Sequence, residues 1–236
     1  MNKLSIVIPI FNEEKNIKKL IKKIKTINLK SVGLQKEIIA VDDGSTDKSF
    51  SILKKISGIK VLKQKNLGKG RAVQNGIKKS KAKYILIQDG DLEYNPNDII
   101  KMCKFIKNEK KISIYGSRYL PFILKIFPKY YKNQNLSSYL ANIFFIIQFI
   151  ILYGKVITDP LTGYKLYEKN FFLKNIVISN GFEADHEISA KLIKQSYKII
   201  EVPVSYKPRS VAEGKKINFF DAIKAIFTIT KFRFFN

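Results

Sequence analysis

Apolar and polar positions come in alternating blocks through the first half of the chain. Short apolar runs at residues 4–10, 37–41, 59–63, 84–88 and 112–115 predict strands. The lysine-studded stretches between them, residues 13–26, 46–56, 69–79 and 96–107, predict helices. Such alternation predicts an α/β fold, a mainly parallel central sheet flanked by helices on both faces. Ligands bind such open sheets beyond the carboxyl ends of the strands. The second half is less regular. Residues 137–153 carry Ile143-Phe144-Phe145-Ile146-Ile147 and, after Gln148, Phe149-Ile150-Ile151-Leu152. That run falls short of the roughly 20 apolar residues a spanning helix needs. It reads as a buried core helix or as a helix in a membrane interface, with Lys132 and Lys155 placed to meet lipid phosphates; the interface is favoured.

From Asn218 onward, Asp221, Lys224, Thr228 and Lys231 recur at helical spacing opposite Phe220, Ile223, Ile226 and Phe227. This predicts an amphipathic C-terminal helix, ending in Lys231-Phe232-Arg233-Phe234-Phe235. Phenylalanines beside basic residues suit a bilayer surface, with packing back onto the domain as the alternative. No Ser/Gly/Pro-rich linker or internal repeat divides the 236 residues, so residues 1–217 read as one domain and residues 218–236 as its interfacial tail.

Composition narrows this picture in three places. The 45% apolar fraction argues against disorder. A single cysteine, Cys103, excludes an internal disulfide framework and reads as a buried helix position. The net charge of +25 points to nucleic acid or to an anionic membrane surface. Only four of the basic residues are arginines, Arg71, Arg118, Arg209 and Arg233, which suggests that arginine is kept where a planar fork must meet phosphate. No exposed aromatic-basic stripe or reading motif for DNA or RNA is evident, so phosphates and membranes are favoured over nucleic acid. The strand-like Leu4-Ser5-Ile6-Val7-Ile8 opens the chain with no signal peptide before it, and a cytosolic location is expected.

The candidate chemistry lies at the predicted strand ends. Asp89-Gly90-Asp91 follows the apolar run Tyr84–Ile87, and two such carboxylates can hold Mg²⁺ or Mn²⁺ against a diphosphate. Pro9-Ile10-Phe11-Asn12-Glu13 follows the first strand and Val41-Asp42-Asp43-Gly44-Ser45 closes the second. Asp42 is also a candidate cap for a helix starting near Ser45 or Thr46. Asn66-Leu67-Gly68-Lys69-Gly70-Arg71 matches neither the Walker nor the dinucleotide spacing, since Gly76 falls six positions after Gly70. Lys69 and Arg71 tilt it towards anionic oxygens at a helix N-terminus.

With these blocks, the chain resembles the family-2 glycosyltransferases of the polyprenyl (dolichyl) phosphate mannose and glucose synthase branch. The likeness continues through Gly116-Ser117-Arg118-Tyr119, Asp159-Pro160-Leu161-Thr162-Gly163-Tyr164-Lys165, Gly181-Phe182-Glu183, Glu201-Val202-Pro203-Val204 and Pro208-Arg209 to Lys216. It implies a GT-A type nucleotide-binding fold. It also implies a UDP- or GDP-hexose donor, Mg²⁺ or Mn²⁺ as cofactor, and a polyprenyl phosphate acceptor at the cytosolic membrane face. Pro9, Phe11 and Glu13 would line the base and ribose pocket, and Asp43 would hold base or ribose polar atoms. Lys69 and Arg71 would approach the nucleotide or its phosphates. Asp89, Gly90 and Asp91 would bracket sugar, metal and diphosphate, with Glu93 as a further metal-site residue. Arg118 and Arg209 would bind the acceptor phosphate or the donor diphosphate. The loop from Ser210 to Lys216, with Gly214, Lys215 and Lys216, would close over the site.

A phosphate acceptor needs no protein base, because a phosphate monoester is partly dianionic near neutral pH, its second pKa being about 6. Direct displacement would invert the anomeric centre. A hydroxyl acceptor would need a carboxylate to take its proton, and Glu183 or Asp185 is then the candidate; His186 reads as a helix residue beside them. Many relatives continue into C-terminal spanning helices, whereas this chain stops at Asn236, so peripheral attachment or a separate membrane-protein partner is expected. Leu120 to Ser138 contains no arginine, and Lys125, Lys129 or Lys132 would have to assist the acceptor. The alternatives are a family-2 enzyme using a glycan or other hydroxyl acceptor and, from charge alone, a nucleic-acid-binding module.

Overall fold

The computed structural model describes residues 2–106, 111–120, 136–209 and 219–235. Lys125, Lys129, Lys132 and the whole Ser210–Lys216 loop lie outside them.

Seven strands form one sheet in the order β3-β2-β1-β4-β6-β5-β7. They are β1 (Asn2–Ile10), β2 (Leu34–Asp43), β3 (Lys60–Gln64), β4 (Tyr84–Ile87), β5 (Ile112–Ser117), β6 (Lys165–Glu168) and β7 (Lys198–Pro203). Neighbouring strands run parallel except around β6, which is antiparallel to both β4 and β5. The mainly parallel α/β sheet expected from the sequence is therefore present. Strand periodicity did not pick out β6 or β7, because the short, charged Lys165–Glu168 and Lys198–Pro203 give few alternating positions.

Alternation along β1 divides the core in two. Leu4, Ile6, Ile8 and Ile10 face α1 (Ile17–Thr26), α2 (Ser49–Lys54) and α4 (Asp98–Cys103), while Val7 faces the opposite side. On that side lie α3 (Lys69–Lys79), α5 (Leu136–Tyr153), α6 (Lys169–Lys174), α7 (Ala184–Lys194) and α8 (Phe219–Phe234). In α1, Ile17, Leu20, Ile21 and Ile24 form the buried stripe and lysines cover the rest. Each such side chain contributes roughly 1.5–3 kcal/mol on burial. Gly76 lies where α3 crosses β1, and a Cβ there would collide with Val7, which explains a glycine in mid-helix. Cys103 is buried, and burial pushes its thiol up to about 12.

Two helices start later than predicted because their entry loops brace each other. The Asn12 side chain accepts hydrogen bonds from Thr46 N at 2.8 Å and Asp47 N at 3.4 Å, and Glu14 accepts from Lys48 N at 2.9 Å. Residues 46–48 are thereby held as a turn, and α2 begins at Ser49. Asp42 accepts from Ser45 N at 3.3 Å, just before that turn and ahead of the helix.

Helices α5 and α8 pack on one flank. Asn142, Phe145 and Phe149 of α5 are buried, and Gln148 donates to Ile226 O and Thr230 Oγ1 of α8, both at 3.1 Å. Ala225, Ile229 and Phe232 of α8 are buried. Their outer faces remain apolar: Leu140, Phe144, Ile147 and Ile151 on α5, and Phe220, Phe227 and Phe234 on α8, are exposed. The C-terminal helix thus both packs back onto the domain and presents phenylalanines outward. At 18 residues and mean hydropathy 1.8, α5 is long and apolar enough by length and composition to cross a membrane, which differs from the sequence expectation. Only 22% of it is buried.

Candidate active site

The carboxyl ends of β1, β2 and β4 border a cavity of about 740 Å³. Pro9, Phe11, Glu13, Asp43, Lys69, Asp89, Gly90, Asp91, Glu93, Arg118 and Arg209 all line it. One predicted residue among those described is not brought there. Arg71 points along α3 and donates to Gln74 Oε1 at 3.3 Å, and Lys215 lies outside the described residues.

Each wall has a local cause. Asp43 accepts from Gln64 Nε2 at 2.7 Å, Leu67 N at 2.8 Å and Gly68 N at 3.0 Å, fixing the turn that launches α3. Lys69, the first residue of α3, is thereby delivered to the cavity, where its ammonium lies 2.8 Å from Asp89 and 3.6 Å from Asp185. Leu92 sits in the left-handed region at φ +63°, a strained conformation for leucine, and the carboxylates on either side of it line the cavity.

Three carboxylates converge on Arg209. Its guanidinium lies 2.9 Å from Asp91, 3.3 Å from Glu13 and 3.4 Å from Glu93, and the Arg209 backbone N–H donates to Glu93 at 2.9 Å. Burial, then the charges of Asp89 and Glu93, push the Asp91 carboxyl up to about 7 against the pull of Arg209. One guanidinium undercompensates this acidic group. Hard carboxylate oxygens suit Mg²⁺ or Mn²⁺. Among the described residues, no group of three His, Cys, Asp or Glu side chains is close enough to hold a metal unaided. The donor set therefore fits a cation completed by substrate phosphate oxygens, as is common for Mg²⁺.

Arg118 is held differently. Its Nε and Nη2 form a fork with the buried Asp159 at 2.7 and 2.6 Å, and its guanidinium lies 4.9 Å from the Tyr206 ring centroid. The fork anticipated for a phosphate is engaged by a neighbouring carboxylate, although the side chain still borders the cavity.

Sequence reasoning weighed Asp185 only as a base and gave Lys165, Tyr94 and Tyr206 no role. Asp185 lines the cavity, whereas Glu183 does not and accepts instead from Gly181 N at 3.0 Å. Burial raises the Asp185 pKa, but Lys165 and Lys69 outweigh it and hold the carboxyl below its ordinary value. His186 stacks on Phe145 at 5.0 Å; burial, then Lys165, push it down to about 3, so it is neutral. Ser138, Ala141 and Phe145 of α5 and Asp221, Ala222 and Ala225 of α8 close the opposite wall. The Asp159–Lys165 block was the available signal for Lys165, while Tyr94 and Tyr206 stand in the segments that carry Glu93 and Arg209.

The family model for glycosyl transferase family 2 matches residues 5–173. The chain belongs to that family. Family-2 relatives include a dolichol-phosphate mannosyltransferase of Pyrococcus furiosus, 31% identical over 90% of this chain and 59% of that protein. A UDP-N-acetylglucosamine–dolichyl-phosphate N-acetylglucosaminyltransferase of Methanococcus voltae is 27% identical over 90% of this chain and 89% of that one. Among solved structures, glucosyl-3-phosphoglycerate synthase from Mycobacterium tuberculosis in complex with uridine diphosphate superposes with a TM-score of 0.73. It covers 100% of this chain and 81% of its own at 15% identity. The fold of this family-2 glycosyltransferase is thus the GT-A type anticipated from the sequence.

Proposed function

We propose that this glycosyltransferase moves a hexose from a nucleoside diphosphate sugar to a polyprenyl phosphate, with inversion, at the cytosolic face of a membrane. The carrying observation is the composition of the cavity. One wall is an acidic and basic crevice at the strand ends; the other is formed by α5 and α8, whose outer faces are apolar and exposed. Such a cavity suits a water-soluble donor and a phosphate that arrives on a lipid. The names of the two dolichyl-phosphate relatives support this reading.

Asp91 and Glu93, with Asp89 nearby, would hold Mg²⁺ or Mn²⁺, which when bound neutralises charge growing on the departing diphosphate. Pro9, Phe11, Glu13 and Asp43 border the space for base and ribose. Arg209 partly offsets the charge of Glu13, Asp91 and Glu93, and with Mg²⁺ or Mn²⁺ held by those carboxylates its fork would be available to a phosphate. The acceptor phosphate attacks without a protein base. A hydroxyl acceptor is the second reading, favoured by Asp185 in the cavity; against it, a carboxyl held below its ordinary pKa is a poor base near neutral pH.

A thermal-shift panel of UDP- and GDP-sugars with Mg²⁺ or Mn²⁺ tests the donor half. Ligand at 100 times its Kd should add about 2.7 kcal/mol of stability. Stabilisation that needs both sugar nucleotide and metal supports the reading. RNA binding that survives Asp91→Asn, with no response to any sugar nucleotide, contradicts it.

A further inference from the structure

Lys165 opens β6 and is wholly buried. Its ammonium lies 3.4 Å from Asp185 O, 3.5 Å from Pro160 O and 3.9 Å from the Asp185 carboxylate, over the Tyr115 ring at 4.7 Å. A lysine is seldom buried without a partner of opposite charge, and Asp185 is that partner. The other Asp185 oxygen lies 3.6 Å from Lys69, which in turn meets Asp89 at 2.8 Å. Charges therefore alternate from the core to the cavity: Lys165, Asp185, Lys69, Asp89. Two residues before Lys165, Gly163 leaves the room this row needs. A Cβ there would collide with Asp89 and lie 2.9 Å from the Lys69 ammonium. Gly163 and Lys165 both come from the Asp159–Lys165 block, which the transfer chemistry leaves without a role.

We propose that Asp185 and Lys69 read hydroxyl groups of the transferred hexose, and that Lys165 is the positioning residue that fixes Asp185 for this task. The inference rests on the donor reading and extends it to the sugar. Asp185 accepts hydrogen bonds from hydroxyls, Lys69 donates one, and Lys165 keeps the carboxylate charged and oriented from behind. The nucleoside diphosphate is left to Asp43, Asp91 and Arg209, so sugar and nucleotide contacts are separable.

The test is calorimetric titration, with Mn²⁺ present, of UDP, UDP-glucose, UDP-N-acetylglucosamine, GDP and GDP-mannose into the wild type, Asp185→Asn, Lys165→Met and the double variant. Both single variants should bind the preferred sugar nucleotide about ten-fold more weakly, the loss expected for a charged hydrogen-bond acceptor, with the parent diphosphate unaffected. The double variant should bind no more weakly than Asp185→Asn, because Lys165 acts through Asp185. Lys165→Gln replaces Lys165→Met if the latter fails to fold. Retained sugar affinity in either single variant, or an equal fall for sugar nucleotide and diphosphate, overturns the inference. Failure of the wild type to bind any of the five overturns the donor reading itself, and this inference with it.

Discussion

The strand-end wall of the cavity and the helical wall facing it are held by different forces. At the strand ends, buried or half-buried carboxylates are tied to backbone N–H groups and to cations: Asp43 to the 67–68 turn, Asp159 to Arg118, and Asp91 to Arg209. On the helical side, Phe145, Phe149, Ala225 and Ile229 pack into the core while the outer faces of the same helices stay apolar. The first wall is rigid by hydrogen bonds whose loss strands buried charge. The second is anchored by one apolar face and leaves the other, also apolar, exposed. Under the proposed function, surface for a polar ligand and surface for lipid are kept apart across one cavity.

The sharpest way to break this comparison is to change the two faces of α5. Phe145→Ala should destabilise the fold by about 3–5 kcal/mol, because it opens a cavity in the core. Ile151→Asp, on the outward face of the same helix, should leave the melting temperature nearly unchanged. It should weaken co-sedimentation with anionic vesicles by about ten-fold, the order expected when a large apolar contact is lost. Equal stability losses for both would show that the outer face is itself part of the fold.

Asp91→Asn tests the polar wall. Transfer should fall by about 10²–10³-fold, the scale of one lost electrostatic contact to a developing charge. Thermal stability should hold or rise, since burial and its neighbours already push this carboxyl up to about 7. Full activity in a chelator would sink the metal assignment.

Arg209→Gln probes the same wall without the reaction. Glu13, Asp91 and Glu93 would lose their guanidinium, so Mn²⁺ measured by electron paramagnetic resonance without nucleotide should bind several-fold more tightly, from removal of one competing charge. Weaker Mn²⁺ binding would make Arg209 a support of the cation site.

How far these two walls were legible from sequence differs for a physical reason. Strand-end residues such as Glu13, Asp43, Asp89 and Asp91 follow local apolar runs, so one periodicity places them together. Arg71 shares the Lys69 block but points along α3, because two positions along a helix lie about 200° apart and only Lys69 faces the cavity. Lys165 and Asp185 meet only through the antiparallel insertion of β6, a long-range pairing that four residues do not announce. The two-sided packing of α8 was equally hidden, since its buried Ala225, Ile229 and Phe232 and its exposed Phe220 and Phe227 are similarly apolar.

The smallest effect lies far from both walls. Glu37 accepts from Lys60 at 2.8 Å and from Lys81 N at 2.9 Å, and also from Ser5. Burial alone would raise its pKa, but these bonds bring it from 4.5 down to about 2. A depressed folded-state value means the stabilisation is present above the unfolded value and is lost as pH falls from about 4.5 towards 2. Glu37→Gln should flatten that acid slope in melting experiments while sparing nucleotide binding.

The central claim is that a phosphate on a lipid, rather than a hydroxyl, receives the sugar. Radiolabelled sugar nucleotide, chosen by the thermal-shift panel, can be offered with Mn²⁺ to polyprenyl phosphate and to the matching polyprenol in parallel micelles. The account predicts label in the organic phase with the phosphate and none above background with the alcohol, because the cavity supplies charge neutralisation while Asp185, the candidate base, is held below its ordinary pKa. Equal labelling of the alcohol, or labelling of a glycan hydroxyl with none on the phosphate, would contradict it.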